Sequence, residues 1–268
     1  MNPQDPIIAE SPVKPLKPNA KAASYGGRGI VEVLEVIRIL EASNVSCCVV
    51  GGYALVYYGA RMVPNNWEIC VPTDSFEKAS AMFTVTPFCE TYEPRSKIQP
   101  QIGSLKHTYP HFGLKGVNFS FYIIPAFEYF LCCEPSKFER SSHNIPFPKL
   151  DCYAQSLLDT QRYLDLTNLI DGMDLSEEWG EEHLDLDKPG ELEYAKEKNE
   201  KIVSSLAEYP NSRPSRLRET PMDLRQKWQT IVRTKQKRIG VEVPGHLYNT
   251  RFRTKGSPDP RLREDRNI

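Results

Sequence analysis

Gly51, Gly52, Arg61, Asn66 and Glu68 are the residues whose types and spacing could do chemistry. Gly51-Gly52 ends the apolar run Val45–Val50 and opens Tyr53–Tyr58. Backbone without β-carbons therefore stands where a strand turns into a helix. Asn66 and Glu68 are two apart in Asn66-Trp67-Glu68-Ile69-Cys70-Val71. Side chains alternate along a strand, so the two share a face. They offer a neutral amide oxygen and one carboxylate, oxygen ligands of the type a hard cation such as Mg²⁺ takes. Arg61 between the two motifs serves either a phosphate or an ion pair. The same residues also read without function: the glycines as an ordinary strand-to-helix turn, Glu68 as a solvated strand residue or the partner of Arg61.

The elements that position these residues follow from periodicity and breakers. Residues 1–28, with five prolines and ending near Tyr25-Gly26-Gly27, read as a flexible arm. A helix is expected from about Gly29 to Ser43, with Glu32, Glu35, Arg38 and Glu41 on its polar stripe. A strand follows over 45–50, a short helix over Tyr53–Tyr58, a strand over Trp67–Val71, and a helix capped by Thr73 or Asp74 running to Phe83. Phe88 to Gln101 reads as loop with at most a short strand. Lys106 to Phe112 and Val117 to Ile124 read as two strands, then come a short aromatic helix after Pro125 and a loop to Pro148. Asp151 to Ile170 reads as one amphipathic helix with Ala154, Leu157, Leu158, Leu164 and Leu169 inward. Short strands alternating with helices imply an α+β class with a small mixed sheet flanked by helices.

The double glycine followed by a strand with polar residues at alternate positions resembles the signature of the nucleotidyltransferase superfamily, the polymerase β-like fold. In that family the glycine pair lets the backbone approach a triphosphate, and an acid–x–acid pair holds the metal ions. The resemblance implies Glu68 and Asn66 as catalytic positions, Glu68 as the metal ligand, and Gly51, Gly52 and Arg61 as nucleotide contacts. Mg²⁺ and a nucleoside triphosphate are the implied cofactor and substrate. Two such ions stabilise the attacking and leaving oxygens of the transfer. Asn66 departs from the pattern, and the strand 117–124 carries no third acid, Asn118 being its nearest substitute. Arg162-Tyr163-Leu164-Asp165-Leu166-Thr167-Asn168-Leu169 is similar to the R-x-x-D-x-x-D/N-L helix of abortive-infection type nucleotidyltransferase toxins. Cys47-Cys48-Val49-Val50-Gly51-Gly52, Asn66 to Pro72 and Leu175 to Glu182 also resemble fungal nucleotidyltransferase-like proteins of unassigned function. With too few acids, the resemblance implies a degenerate fold binding a nucleotide or partner. The alternatives are a working Mg²⁺-dependent nucleotidyltransferase acting on an RNA, protein or small-molecule acceptor, and an interaction module.

The last alternative rests on charge. Twelve acids face three lysines between Asp171 and Glu200, whereas fifteen Lys/Arg face six Asp/Glu in 211–268. The chain divides accordingly into an arm (1–28), a nucleotidyltransferase-like domain (29–173), an acidic segment (174–210) and a basic extension (211–268). The two charged blocks are expected to associate, with Thr220 capping a helix that starts at Pro221 and turns Leu224, Trp228, Ile231 and Val232 inward. Trp179 is the anchor of the acidic segment. The basic tail is a candidate surface for a protein partner or RNA, and Lys235-Gln236-Lys237-Arg238 a weak nuclear-import signal. No apolar run approaches a membrane span and the start lacks a signal-peptide pattern, so no membrane partner is expected and the cytoplasm or nucleus is the expected location. Seven cysteines with no C-x-x-C spacing read as buried thiols in a reducing compartment, without zinc or a disulfide framework. His107 and His111 flank Pro110, which argues against a helical metal pair and favours strand and loop histidines without function. Ser141-Ser142-His143 has no nucleophile-elbow context.

Overall fold

The computed structural model describes residues 20–262 apart from 102, 210, 211, 213 and 241, so most of the expected arm lies outside the described residues. The first half of the chain runs β1 (Lys21–Ala22), the single turn α1 (Ser24–Gly27), α2 (Ile30–Ala42), β2 (Cys48–Val50), α3 (Gly51–Tyr57), β3 (Trp67–Val71), α4 (Phe76–Met82), α5 (Phe88–Thr91), β4 (Tyr92–Pro94), β5 (His111–Leu114), β6 (Val117–Asn118) and β7 (Ser120–Pro125). The second half runs β8 (Phe138–Arg140), β9 (Pro146–Pro148), α6 (Leu150–Asp159), α7 (Tyr163–Met173), α8 (Glu177–His183), α9 (Leu192–Ser205) and α10 (Leu224–Arg233).

Five strands form one mixed sheet in the order β2-β3-β7-β5-β4. β3 is antiparallel to β2 and parallel to β7. Parallel neighbours need a long connection, which residues 72–119 supply. Trp67, Ile69 and Val71 are buried on one face of β3 and Glu68 and Cys70 point to the other, as alternation requires. The end of the arm is docked: Lys21 and Ala22 pair with Val117 and Asn118. The rings of Trp67 and Tyr53 stack with their centroids 3.6 Å apart, and the Trp67 indole N–H and the Tyr53 hydroxyl both donate to the Arg28 carbonyl, at 2.8 and 3.1 Å.

Several expected elements differ. The helix over 151–170 is two helices, α6 and α7, broken where Gln161 takes a left-handed φ of 56°. The break rotates α7, and Leu164, expected inside, is 76% exposed. Only 48–50 of the strand over 45–50 pairs. Lys106–Thr108 is a 3-10 turn rather than strand, the segment from Phe88 opens with the short helix α5 ahead of the short strand β4, and β8–β9 form a hairpin in the second expected loop. The 117–124 strand breaks at Phe119 into β6 and β7. The last helix starts at Leu224 with Asp223, not Thr220, accepting from the Gln226 amide at 2.7 Å.

The acidic and basic segments fold onto each other and onto α7. Arg238 grips fully buried Asp171 through two bonds of 2.6 and 2.8 Å. Lys235 bonds Asp174, Arg233 pairs Glu177, and Arg225 pairs Glu181 and Asp187. Trp228, fully buried, lies against Gly180, where a β-carbon would stand 2.1 Å from the indole nitrogen. Leu224, Trp228, Ile231, Val232 and Phe252 belong to the same hydrophobic cluster as the sheet. Among the described residues, no helix is long and apolar enough to cross a membrane.

Candidate functional site

Strand register builds the site. Val50, Glu68, Tyr122 and His111 are paired in sequence across β2, β3, β7 and β5, and paired residues project to the same face. Gly51 follows at φ 65°, and a β-carbon there would stand 2.7 Å from the Glu68 carboxyl carbon. The carboxylate therefore lies directly over the glycine backbone, a close approach only glycine allows. Together they line a cleft of about 280 Å³ with Gly52, Lys106, Tyr109, Glu128, Tyr129, Arg162 and Asp165.

Both oxygens of Glu68 are engaged. The Lys106 ammonium donates to Oε1 at 2.6 Å and the Tyr129 hydroxyl to Oε2 at 2.9 Å. Lys106 also lies 4.6 Å from the centre of the Tyr122 ring, a cation–π contact that holds the ammonium beside the acid. Burial, then the Glu68 charge, pushes the Tyr122 hydroxyl up to about 12 and the Tyr129 hydroxyl well above its usual range. Both stay protonated, as Tyr129 must to donate to Glu68.

A second charged group forms the opposite wall. Glu128 is 2% exposed. Its carboxylate accepts from the Arg162 guanidinium, from the Tyr109 hydroxyl at 2.9 Å, and lies 3.2 Å from the Lys198 ammonium. Buried charge is tolerable only with such partners. Burial outweighs Glu128 at Lys198 and brings it down to about 8. Arg162 also reaches Asp165 at 3.8 Å and lies over the Tyr129 ring. Burial, opposed by Arg162 and reinforced by Glu68, raises the Asp165 carboxyl. Beyond Lys106 lies a second cavity of about 260 Å³, walled by His107, His111, Tyr122, Arg95 and Lys97. There His111 stacks on Tyr122 at 4.1 Å, and burial lowers it to about 4.

Of the expected site residues, the fold brings Gly51, Gly52 and Glu68 into one cleft. Asn66 stands outside it and accepts a hydrogen bond from the Ser120 hydroxyl. Arg61 is exposed in the loop after α3 and does not line the cleft, and Lys106 takes the place beside Glu68 considered for Arg61. Asn118, the expected substitute for a third acid, is exposed on β6; the position opposite Glu68 belongs to Tyr122. Arg162 and Asp165 do reach the cleft. Lys106, Glu128, Tyr129 and Lys198 were not expected. Glu128 alone carried a signal, an isolated acid inside the aromatic run Phe127-Glu128-Tyr129-Phe130.

These residues do not fit a pair of Mg²⁺ ions. One carboxylate lies on the β3 face and protein donors hold both its oxygens. Among the described residues, no three carboxylates bring oxygens within 4.8 Å of one another. What the cleft can do is bind a group carrying both donors and acceptors between the Glu68–Lys106 pair and the Arg162–Asp165 pair.

No protein-family model and no curated protein matches the sequence. Among solved structures, the crystal structure of ANT(2″)-Ia in complex with adenylyl-2″-tobramycin is similar, at 8% identity and a TM-score of 0.36, over 57% of this chain and 92% of that one. The likeness is weak and carries no argument about activity.

Proposed function

We infer that this chain is a nucleotidyltransferase-like protein whose metal site has been retired and whose cleft binds a nucleotide or a partner group without turnover. The observation that carries it is the 2.6 Å contact between Lys106 and Glu68 above the Gly51 backbone. An ammonium there neutralises the carboxylate with one positive charge where a divalent ion would bring two, and it offers no open coordination position for a phosphate oxygen. Replacing two-metal stabilisation of developing charge by a fixed ion pair removes a contribution commonly worth about a hundredfold or more in rate. Residues 29–173 are the proposed nucleotidyltransferase-like unit, 174–210 the acidic segment and 211–268 the basic extension, whose described residues pack against that unit. The abortive-infection and fungal resemblances belong to the same proposal. Buried free thiols favour the cytoplasm, and the engagement of Lys235 and Arg238 with Asp174 and Asp171 weighs against a nuclear-import signal and against RNA binding by that part of the tail.

The enzyme alternative has one observation in its favour: Asp165, its carboxyl raised toward neutrality, lines the same cleft and could take a proton from an acceptor hydroxyl. The deciding experiment is calorimetric titration of the full chain with each nucleoside triphosphate, with and without Mg²⁺ or Mn²⁺, alongside an assay of pyrophosphate release. Binding that needs no divalent ion and no pyrophosphate release are the expected results. Metal-dependent release abolished by Glu68→Ala would establish the enzyme instead.

A further inference from the structure

Below the cleft on the same face of the sheet, the next row across β2, β3 and β7 is Cys48, Cys70 and Ile124. Cys48 and Cys70 are direct cross-strand partners. Cys133, in the segment after the 3-10 turn Ala126–Tyr129, completes a triangle of sulfurs. All three Sγ atoms lie within 4.8 Å of one another, and those of Cys70 and Cys133 are 3.5 Å apart. Among the described residues this is the one group of three His, Cys, Asp or Glu side chains gathered closely enough to hold an ion. The thiols are free and buried.

We propose that Cys48, Cys70 and Cys133 form a three-sulfur site for a soft, thiophilic metal ion of low coordination number, of which Cu(I) is the representative. Three thiolates at about 2.3 Å from one ion stand about 3.8–4.0 Å from each other, a spacing bracketed by the 3.5 Å contact and the 4.8 Å limit. The donor set is all sulfur, which selects soft ions and offers nothing to Mg²⁺ or Ca²⁺. Structural zinc sites take four ligands, whereas the grouping here stops at three. Each thiol that ligates releases its proton to solvent, so affinity weakens as pH is lowered. Entry is from the loop side, where Cys133 is 8% exposed beside exposed Cys132.

The location gives the site a consequence. Cys48 is on the strand leading to Gly51, Cys70 on the strand of Glu68, and Cys133 just beyond Tyr129. A bound ion would tie together the segments that build the cleft, and raise stability by mass action.

The test uses the reduced full chain under anaerobic conditions, titrated with Cu(I) held by a chromogenic chelator. The expected result is a single tight equivalent drawn from the chelator, a raised Tm, and an X-ray absorption spectrum with three sulfur neighbours. Cys133→Ala and Cys70→Ala should weaken binding about a hundredfold or more, while Cys132→Ala and Cys89→Ala should not. Circular dichroism checks that each variant is folded, and the absorption spectrum of the unmodified chain decides the matter without any variant. Failure to take copper, copper retained undiminished by folded Cys133→Ala, a spectrum with two sulfurs or with nitrogen and oxygen neighbours, or tighter four-coordinate zinc each overturns the proposal.

Discussion

Glu68 and its two donors decide how the cleft behaves. Removing the ammonium in Lys106→Ala leaves a half-buried carboxylate with one partner, which costs about 1–3 kcal/mol but frees Oε1 for a cation. Mn²⁺ affinity, read by paramagnetic relaxation of water, should rise about tenfold or more. Asn66→Asp alone should do less, because position 66 lies outside the cleft and faces Ser120. Equal metal binding by Lys106→Ala and the unmodified chain would show that Glu68 was never screened. Gly51→Ala is expected to destabilise by about 1–3 kcal/mol, since a left-handed φ and the Glu68 carboxylate both oppose a β-carbon. Urea unfolding measures it, and Gly51→Ala,Glu68→Ala should recover the part due to contact.

Among the elements, the β5–β7 pair carries a pH response. His111 is neutral in the fold down to about 4, while in the unfolded chain it titrates near its usual 6.5. Between those values the unfolded state binds the additional proton, so stability falls as pH drops from about 6.5 toward 4. The urea midpoint of His111→Gln should fall less than that of the unmodified chain between pH 7 and pH 5; parallel lines would refute the assignment. How much of this layer was legible in the sequence depends on range. β2, the glycine turn, α3 and β3 were readable because their signals are local: an apolar run, two glycines, a period of two. α2 was readable from its wide apolar stripe. The break between α6 and α7 was not, because Gln161 turns the chain without glycine or proline and is held by reciprocal bonds to the Arg218 backbone. The same holds for the site. The position of Glu68 followed from alternation, but Lys106 and Tyr129 arrive from 38 and 61 residues away, and no spacing in the chain encodes those meetings.

For the whole molecule, the opposite charge of the two C-terminal blocks and their association were legible, whereas the individual pairs, such as Arg238 with Asp171, were not. Arg238 is the sharpest instance. Arg238→Ala strips buried Asp171 of its guanidinium and should cost about 3–5 kcal/mol, while Arg233→Ala, at the solvent-exposed pair with Glu177, should leave stability nearly unchanged. Trp228→Ala should cost about 3–5 kcal/mol by opening the space beneath Gly180. Thermal unfolding of these variants separates a structural wrap from a dispensable tail. Equal, small losses in all three would mean that the tail is not needed to complete the core.

The Asp171–Arg238 pair also sets a schedule for biosynthesis. Chains leave the ribosome N-terminus first, so the sheet, α7 and Asp171 are exposed to solvent long before Arg238 appears. Until then α7 can settle only by burying an acid without its partner. Docking of α7 with Asp171 paired therefore follows the synthesis of residue 238, and a chain truncated before that residue is expected to be cut faster by protease than the unmodified chain.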